Sequence, residues 1–259
     1  MKTFAKMRAY NKEREGDSAL IEICINEGIT NIPAGTYAFR ANIASVIIPN
    51  TVKKIYGSVF RGCNELININ IPESIKYIGP RAFANCNKLT SIVIPPNVEE
   101  LGHGIFLCCK NLSSISFLGH RIYNSAFLGC RNIKSLFFGE NVMEIDSDIF
   151  VNCKNIKSLV VDSKNQIYDS RYNCNAIIET KSNSLILGCN TSKVPNGIRS
   201  ITKRAFIDCG RMKNITLPDS LEYIGSLPSS IQKIFIPKGT IDKFRQLLPR
   251  KKSKLIEIM

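Results

Sequence analysis

Cysteine thiols are the groups in this sequence whose spacing most invites a chemical reading. Ten are present in 259 residues, and six stand in one repeated place. Cys63, Cys86, Cys109, Cys130, Cys153 and Cys209 each follow a phenylalanine by three residues. A thiol column has three uses: disulfides, metal ligands or nucleophiles. Stacked coils about 4.8 Å apart hold their Cβ vectors parallel, whereas a disulfide needs Cβ atoms about 3.8 Å apart. Neighbours in the column are therefore poorly posed to pair. No CxxC pair occurs and the chain has two histidines, which leaves zinc without its usual ligand spacing. The column reads as small buried hydrophobes, with no metal and no cofactor.

Other reactive constellations are equally sparse. His103 and His120 fall in turn regions, and no nucleophile, base and orienting group occur in a recognisable spacing. Asp146-Ser147-Asp148 offers two carboxylates, far short of a calcium loop. No phosphate-cradling glycine loop is present. The chain is expected not to be an enzyme.

The elements that position these residues come from one repeated sentence. Its clearest copy runs from Ile75 through Ile78-Gly79, Ala82-Phe83, Cys86 and Leu89 to Ile92-Val93-Ile94-Pro95. Phe39, Phe60, Phe83, Phe106, Phe127 and Phe150 follow at steps of 21 or 23 residues, and Phe206 after a step of 56. Such a period is the signature of a solenoid, in which each coil buries its apolar face only against its neighbours. In each coil an alternating strand such as Ile92/Ile94 or Ile115/Phe117 turns one side to the core, and proline often ends it. A second apolar pair, as in Val52/Ile55, Ile75/Ile78 and Val98/Leu101, forms the opposite wall. Gly79 and Gly102 are expected to permit the bend between walls.

The outward positions of the strand column define a candidate binding face: Asn68, Asn70, Ser91, Val93, Ser114, Ser116, Ser135, Phe137, Ser158 and Val160, preceded by Ser45 and Ile47. The column resumes after the insertion with Asn214/Thr216 and Lys233/Phe235; it is nearly uncharged and built from small hydroxyl, amide and apolar groups, on the kind of extended sheet by which repeat proteins bind. At the turn entering the strands runs a candidate basic stripe, Lys88, Lys110, Arg131, Lys154 and Arg211. One cation per coil matches a polyanion or an acidic protein surface, while a solvated flank explains the same pattern.

Along the chain, residues 1–28 read as an N-terminal arm and capping strand, with residues 1 to about 19 a frayed arm or short helix. Repeats occupy 29–162, an inserted β-hairpin segment 163–197, and repeats again 198–237. The remainder, 238–259, is a C-terminal cap and basic tail. Thr240 is expected to N-cap a short helix bearing Ile241, Phe244, Leu247 and Leu248, stopped by Pro249. Arg250-Lys251-Lys252-Ser253-Lys254 reads as a solvated end.

The formal charge of +14 favours acidic partners. No run approaches the length of a membrane span. The charged N-terminus does not read as a signal peptide, so a cytoplasmic location is expected from the sequence as given, and a surface or secreted one if it was trimmed.

The sentence Ile-Gly-x-x-Ala-Phe-x-x-Cys-x-x-Leu-x-x-Ile-x-Ile-Pro-x-x-Val resembles the BspA-like leucine-rich repeat proteins over residues 29–237. The insertion and the Pro237-Lys238-Gly239-Thr240 ending are similar to the gut-commensal bacterial members. The resemblance implies a surface or secreted protein that adheres to other proteins, including host matrix components. Combined with the residue pattern, the expectation is a β-dominated solenoid: a right-handed leucine-rich-repeat superhelix of about 23-residue repeats with a short C-terminal capping helix. Its expected role is a monomeric, non-catalytic scaffold that binds a protein partner. A module that binds an acidic polymer, glycan or nucleic acid, through the basic stripe is the alternative.

Overall fold

The computed structural model describes residues 5–9, as backbone, and 19–258. They fall into two compact units: residues up to 133 with 141–153, and residues 134–140 with those from 154 onward. Each is built from coils of a parallel β-solenoid with a repeat of about 23 residues.

In the first unit, two-residue strands form the back wall: Asn31–Ile32, Lys54–Ile55, Tyr77–Ile78, Glu100–Leu101, Arg121–Ile122 and Glu144–Ile145. They stack in parallel register, so that Ile32, Ile55, Ile78, Leu101, Ile122 and Ile145 make one buried row. The front wall includes Ile43–Ile47, Asn68–Ile69, Ser91–Ile94 and Ser114–Phe117. In the last two strands Ile92, Ile94, Ile115 and Phe117 are buried, as period-two alternation requires. Between the walls lies a stack of aromatic rings, Tyr37, Phe60, Phe83, Phe106, Phe127 and Phe150, with centroids 5.6 to 6.0 Å apart and near-parallel planes.

That stack corrects the phase of the first repeat. Tyr37, not Phe39, occupies the aromatic column, and Phe39 is 66% exposed beneath the Arg61 guanidinium. Phe39 has φ of 62° and falls in phase with the left-handed residues Gly62, Asn85, Cys108, Gly129 and Asn152, a turn position that aims its side chain outward. The step from Tyr37 to Phe60 restores the period of 23.

Three further expectations change. Gly79 and Gly102 do not have left-handed φ values; they serve close approach. A Cβ on Gly102 would lie 2.2 Å from Pro80 N, and one on Gly79 2.5 Å from Gly57 N. Ser45 is buried, with Glu22 beside it on one neighbouring strand and Asn68 on the other. Of the expected N-terminal arm or helix, residues 1–4 and 10–18 lie outside the described residues, while Ala5–Ala9 is a strand antiparallel to Ile21–Ile25. Pairing covers an edge that would otherwise stay open.

In the second unit, Ser135–Phe138 pairs with Ser158–Val161 in parallel. Ala176–Glu179 and Ser184–Gly188 form an antiparallel hairpin, turning where Asn183 has φ of 52°. Ser184–Gly188 then pairs in parallel with Ser200–Ile201, which returns the chain to the coil pattern. A front sheet of Asn214–Thr216, Lys233–Pro237 and Leu255–Ile258 follows.

The C-terminal helix, Ile241–Leu247, buries Phe244 in this unit's core beside Leu248. Its N-terminus is not capped by the Thr240 side chain, whose hydroxyl donates to Pro237 O at 2.6 Å. Instead Glu257 Oε1 accepts from the backbone N–H groups of Gly239 and Ile241 at 2.9 and 3.2 Å. The basic run is not simply a solvated end either. Pro249–Lys254 forms a 3-10 turn, and the Lys251 ammonium donates to Pro228 O at 3.1 Å.

Candidate functional site

The thiol column is real, and its chemistry is hydrogen bonding. Cys63 donates its S–H to Tyr37 O at 3.2 Å, and Cys86 to Phe60 O at 3.2 Å. Cys109, Cys130 and Cys153 donate to the carbonyls of Phe83, Phe106 and Phe127 at 3.0, 2.8 and 2.9 Å. Each thiol thus ties its own coil to the aromatic residue of the coil before. In the second unit Cys209 donates to Gly188 O at 3.6 Å. Burial pushes the Cys63 and Cys209 thiols up to about 12 and the Cys86 and Cys109 thiols well above their ordinary value. A thiol that keeps its proton at neutral pH is a poor nucleophile and a poor metal ligand. The signal for this pairing was in the sequence: the interval from cysteine to aromatic is 26 residues in all but one case, where it is 24.

Among the described residues no group of three or more His, Cys, Asp or Glu side chains is arranged to hold a metal ion. His103 lies against the Tyr123 ring at 5.5 Å. Asp146 Oδ2 accepts from the Asn124 backbone N–H at 2.9 Å, which commits one of its two oxygens to holding a turn.

The strand-face residues are treated unit by unit. In the first, Asn68, Asn70, Ser91, Val93 and Ser114 are exposed and Ser116 is half-buried. Register sets Ser91 beside Ser114 and Val93 beside Ser116. Val93 is 55% exposed, a large apolar group with hydroxyls around it. Asn70 has a structural duty that its position did not reveal. Its amide oxygen accepts from Ile48 N–H at 2.9 Å and its amide nitrogen donates to Ile48 O at 3.1 Å, replacing a missing rung of the ladder. In the second unit Ser135, Phe137 and Ser158 are half-buried and Val160 is 40% exposed, with Ser135 beside Ser158 and Phe137 beside Val160.

Of the basic stripe, Lys88, Lys110 and Arg131 are exposed in the first unit, and Lys154 and Arg211 in the second. Asparagines order the turns that carry them. Asn87 Nδ2 donates to Asn64 Oδ1 at 2.8 Å in one unit. In the other, Asn190 accepts from the Arg211 N–H at 3.0 Å and donates to Lys154 O at 3.0 Å. The Arg211 guanidinium donates to Asn155 Oδ1 at 2.7 Å.

These columns define a family. The model of the BspA type leucine rich repeat region matches residues 15–127, 118–188 and 186–258, and the chain belongs to that family. Among solved structures it is similar to a leucine rich cell surface protein from Faecalibacterium prausnitzii A2-165, at 24% identity and TM-score 0.65, over 82% of this chain and 60% of that one. A leucine-rich repeat protein from Bacteroides ovatus ATCC 8483 matches at 22% identity and TM-score 0.58, over 92% and 66%. The pneumococcal vaccine antigen PcpA matches at 19% identity and TM-score 0.59, over 90% and 71%. At these identities the likeness is one of fold. The chain spans 60% and 66% of the length of the first two. No curated protein matches it in sequence. Among the described residues no helix is long and apolar enough to cross a membrane.

Proposed function

We propose that this repeat scaffold binds a protein partner through the strand face of its coils, without catalysis. The observation that carries the reading is Val93, 55% exposed in a sheet whose neighbouring outward positions are Ser91, Ser114 and Ser116. An apolar group ringed by small uncharged ones costs little to desolvate, and sheets of this kind are the usual binding surface of repeat proteins. The leucine rich repeat architecture of the family supports a protein-binding use, and adhesion to host proteins is the form of it we propose.

The experiment is a pull-down from host and source-cell lysates, with the purified chain as bait at low and high salt. A protein retained at high salt and lost from the Val93→Arg, Ser114→Arg double variant supports the reading. Retention of that protein by the double variant rejects it.

A second reading rests on the +14 charge and the exposed Lys88, Lys110 and Arg131. A polyanion held by these cations would be released steeply as salt rises, through counterion release. Capture of polyanions alone, reversed by salt, moves the function to the stripe.

A further inference from the structure

Within the second unit, the inserted segment turns part of the strand face into a cleft. Asn214 sits beside Lys233 and Thr216 beside Phe235 in the sheet. Over these strands lies a cavity of about 440 Å³, lined by Tyr172, Lys193, Asn196, Asn214, Thr216 and Phe235, with Val194 and Ile215 also in its wall. That volume lies within the range of small-molecule sites, roughly 300–1,000 Å³.

The loop that supplies Tyr172 is unlike the other turns. Tyr172, Asn173 and Asn175 have φ of 55°, 52° and 52°. Left-handed residues elsewhere, such as Ser58, Arg81 and Ser125, recur with the coils; this cluster does not. Side chains from several directions hold the strained backbone. Arg171 donates to both oxygens of Asp169, at 2.8 and 2.5 Å, and to Asn183 Oδ1 at 3.1 Å. Ser192 Oγ accepts from Cys189 N–H at 2.7 Å and donates to Asn175 O, while Lys193 N–H donates to Cys174 O at 2.8 Å. Strain that its surroundings enforce gathers at ligand clamps. Tyr172 itself is 81% exposed and has no ring or hydrogen-bond partner among the described residues, so the loop is braced while its ring stays free.

The lining chemistry selects a ligand. Two aromatic rings offer electron-rich faces to C–H groups. Asn196, Asn214 and Thr216 can each donate and accept, as adjacent sugar hydroxyls require, and no carboxylate lines the cavity to repel an anion. Lys193 supplies one cation. A purely apolar ligand would leave the amides unmatched, and within the lining itself an anion finds one cation, enough for a single carboxylate. We infer that this cleft is a carbohydrate site for one pyranose ring bearing a carboxylate, stacked on Tyr172, hydrogen-bonded to Asn196, Asn214 and Thr216 and paired with Lys193.

The site shares no residue with the strand-face reading at Val93 and Ser114, so the two readings fail independently. The test probes the full chain with an oligosaccharide array carrying terminal sialic or uronic acids and the matching neutral sugars, followed by titration calorimetry of the best binder. Acidic termini are expected to bind at least tenfold more tightly than their neutral counterparts. Tyr172→Ala should weaken binding at least tenfold with the melting temperature unchanged, and Lys193→Gln should abolish the preference for the acid. Binding of no saccharide, binding of neutral sugars alone, or acidic-sugar binding indifferent to Tyr172→Ala overturns the inference. Capture of acidic peptides in place of sugars overturns it as well.

Discussion

Phe83 stands in the middle of the aromatic stack, 5.6 Å from the rings on either side and fully buried. Its replacement by Ala removes contacts to two coils at once and leaves a cavity. A loss of about 3–5 kcal/mol is expected in urea unfolding. Phe39→Ala, by contrast, should change stability by less than about 0.5 kcal/mol, since that side chain lies outside the column. Equal losses at the two positions would contradict the phase assigned here. The buried thiols set a pH dependence of definite sign. The folded Cys63 and Cys209 keep their protons to about 12, whereas an unfolded thiol releases its proton near 9.0. Between those values the unfolded chain binds fewer protons, so the stability present below pH 9 falls as pH rises toward 12. Urea midpoints should be level from pH 7 to 8.5 and decline above pH 9. Replacing both cysteines with alanine should lessen that decline, and Cys86 and Cys109, raised by burial in the same way, sustain the rest.

At the level of strands and turns, close approach dominates. A methyl group on Gly102 would meet the Pro80 and Gly79 backbone at 2.2 to 2.6 Å, where no flexible side chain can yield. Gly102→Ala is expected to cost about 3 kcal/mol or more, at the upper end of overpacking effects, measured by urea unfolding. Much of this architecture was legible in the sequence because its causes are periodic. Ile92/Ile94, Phe83 and Cys86 recur in every regular coil, and burial imposes the same residue types each time. What escaped has local or long-range causes. Tyr37 and Phe39 are both aromatic two residues apart, and only backbone conformation separates the core position from the turn. Gly79 reads the same whether glycine is needed for its φ or for lack of a Cβ. The cap that Glu257 gives to the helix at Ile241 spans 16 residues and a strand, so no local motif announces it. Asn214, Thr216 and Phe235 are legible as outward strand positions, but the cleft was missed because Tyr172 and Asn173 lie in the segment that breaks the period.

For the molecule as a whole, the dominant electrostatic fact is a formal charge of +14. Its exposed ion pairs, such as Lys76 with Glu99 and Arg121 with Glu144, each contribute little. Self-repulsion among the cations should outweigh them. Raising sodium chloride from about 20 to 200 mM shortens the Debye length to below about 10 Å, and the melting temperature should rise. A fall would mean that the ion pairs matter more than the net charge. The sulfur-to-carbonyl ladder has a consequence for measuring the molecule itself. In the first unit Cys63, Cys86, Cys109, Cys130 and Cys153 place one shielded sulfur in each of five successive coils. Alkylation can reach such a sulfur only when its coil opens, so each labelling rate reports the local opening free energy of that coil. Peptide mass spectrometry after a pulse of iodoacetamide would then read stability coil by coil, with the partly accessible Cys24 and Cys108 as fast internal standards. The unmodified sequence carries its own series of reporters for where its repeats begin to come apart.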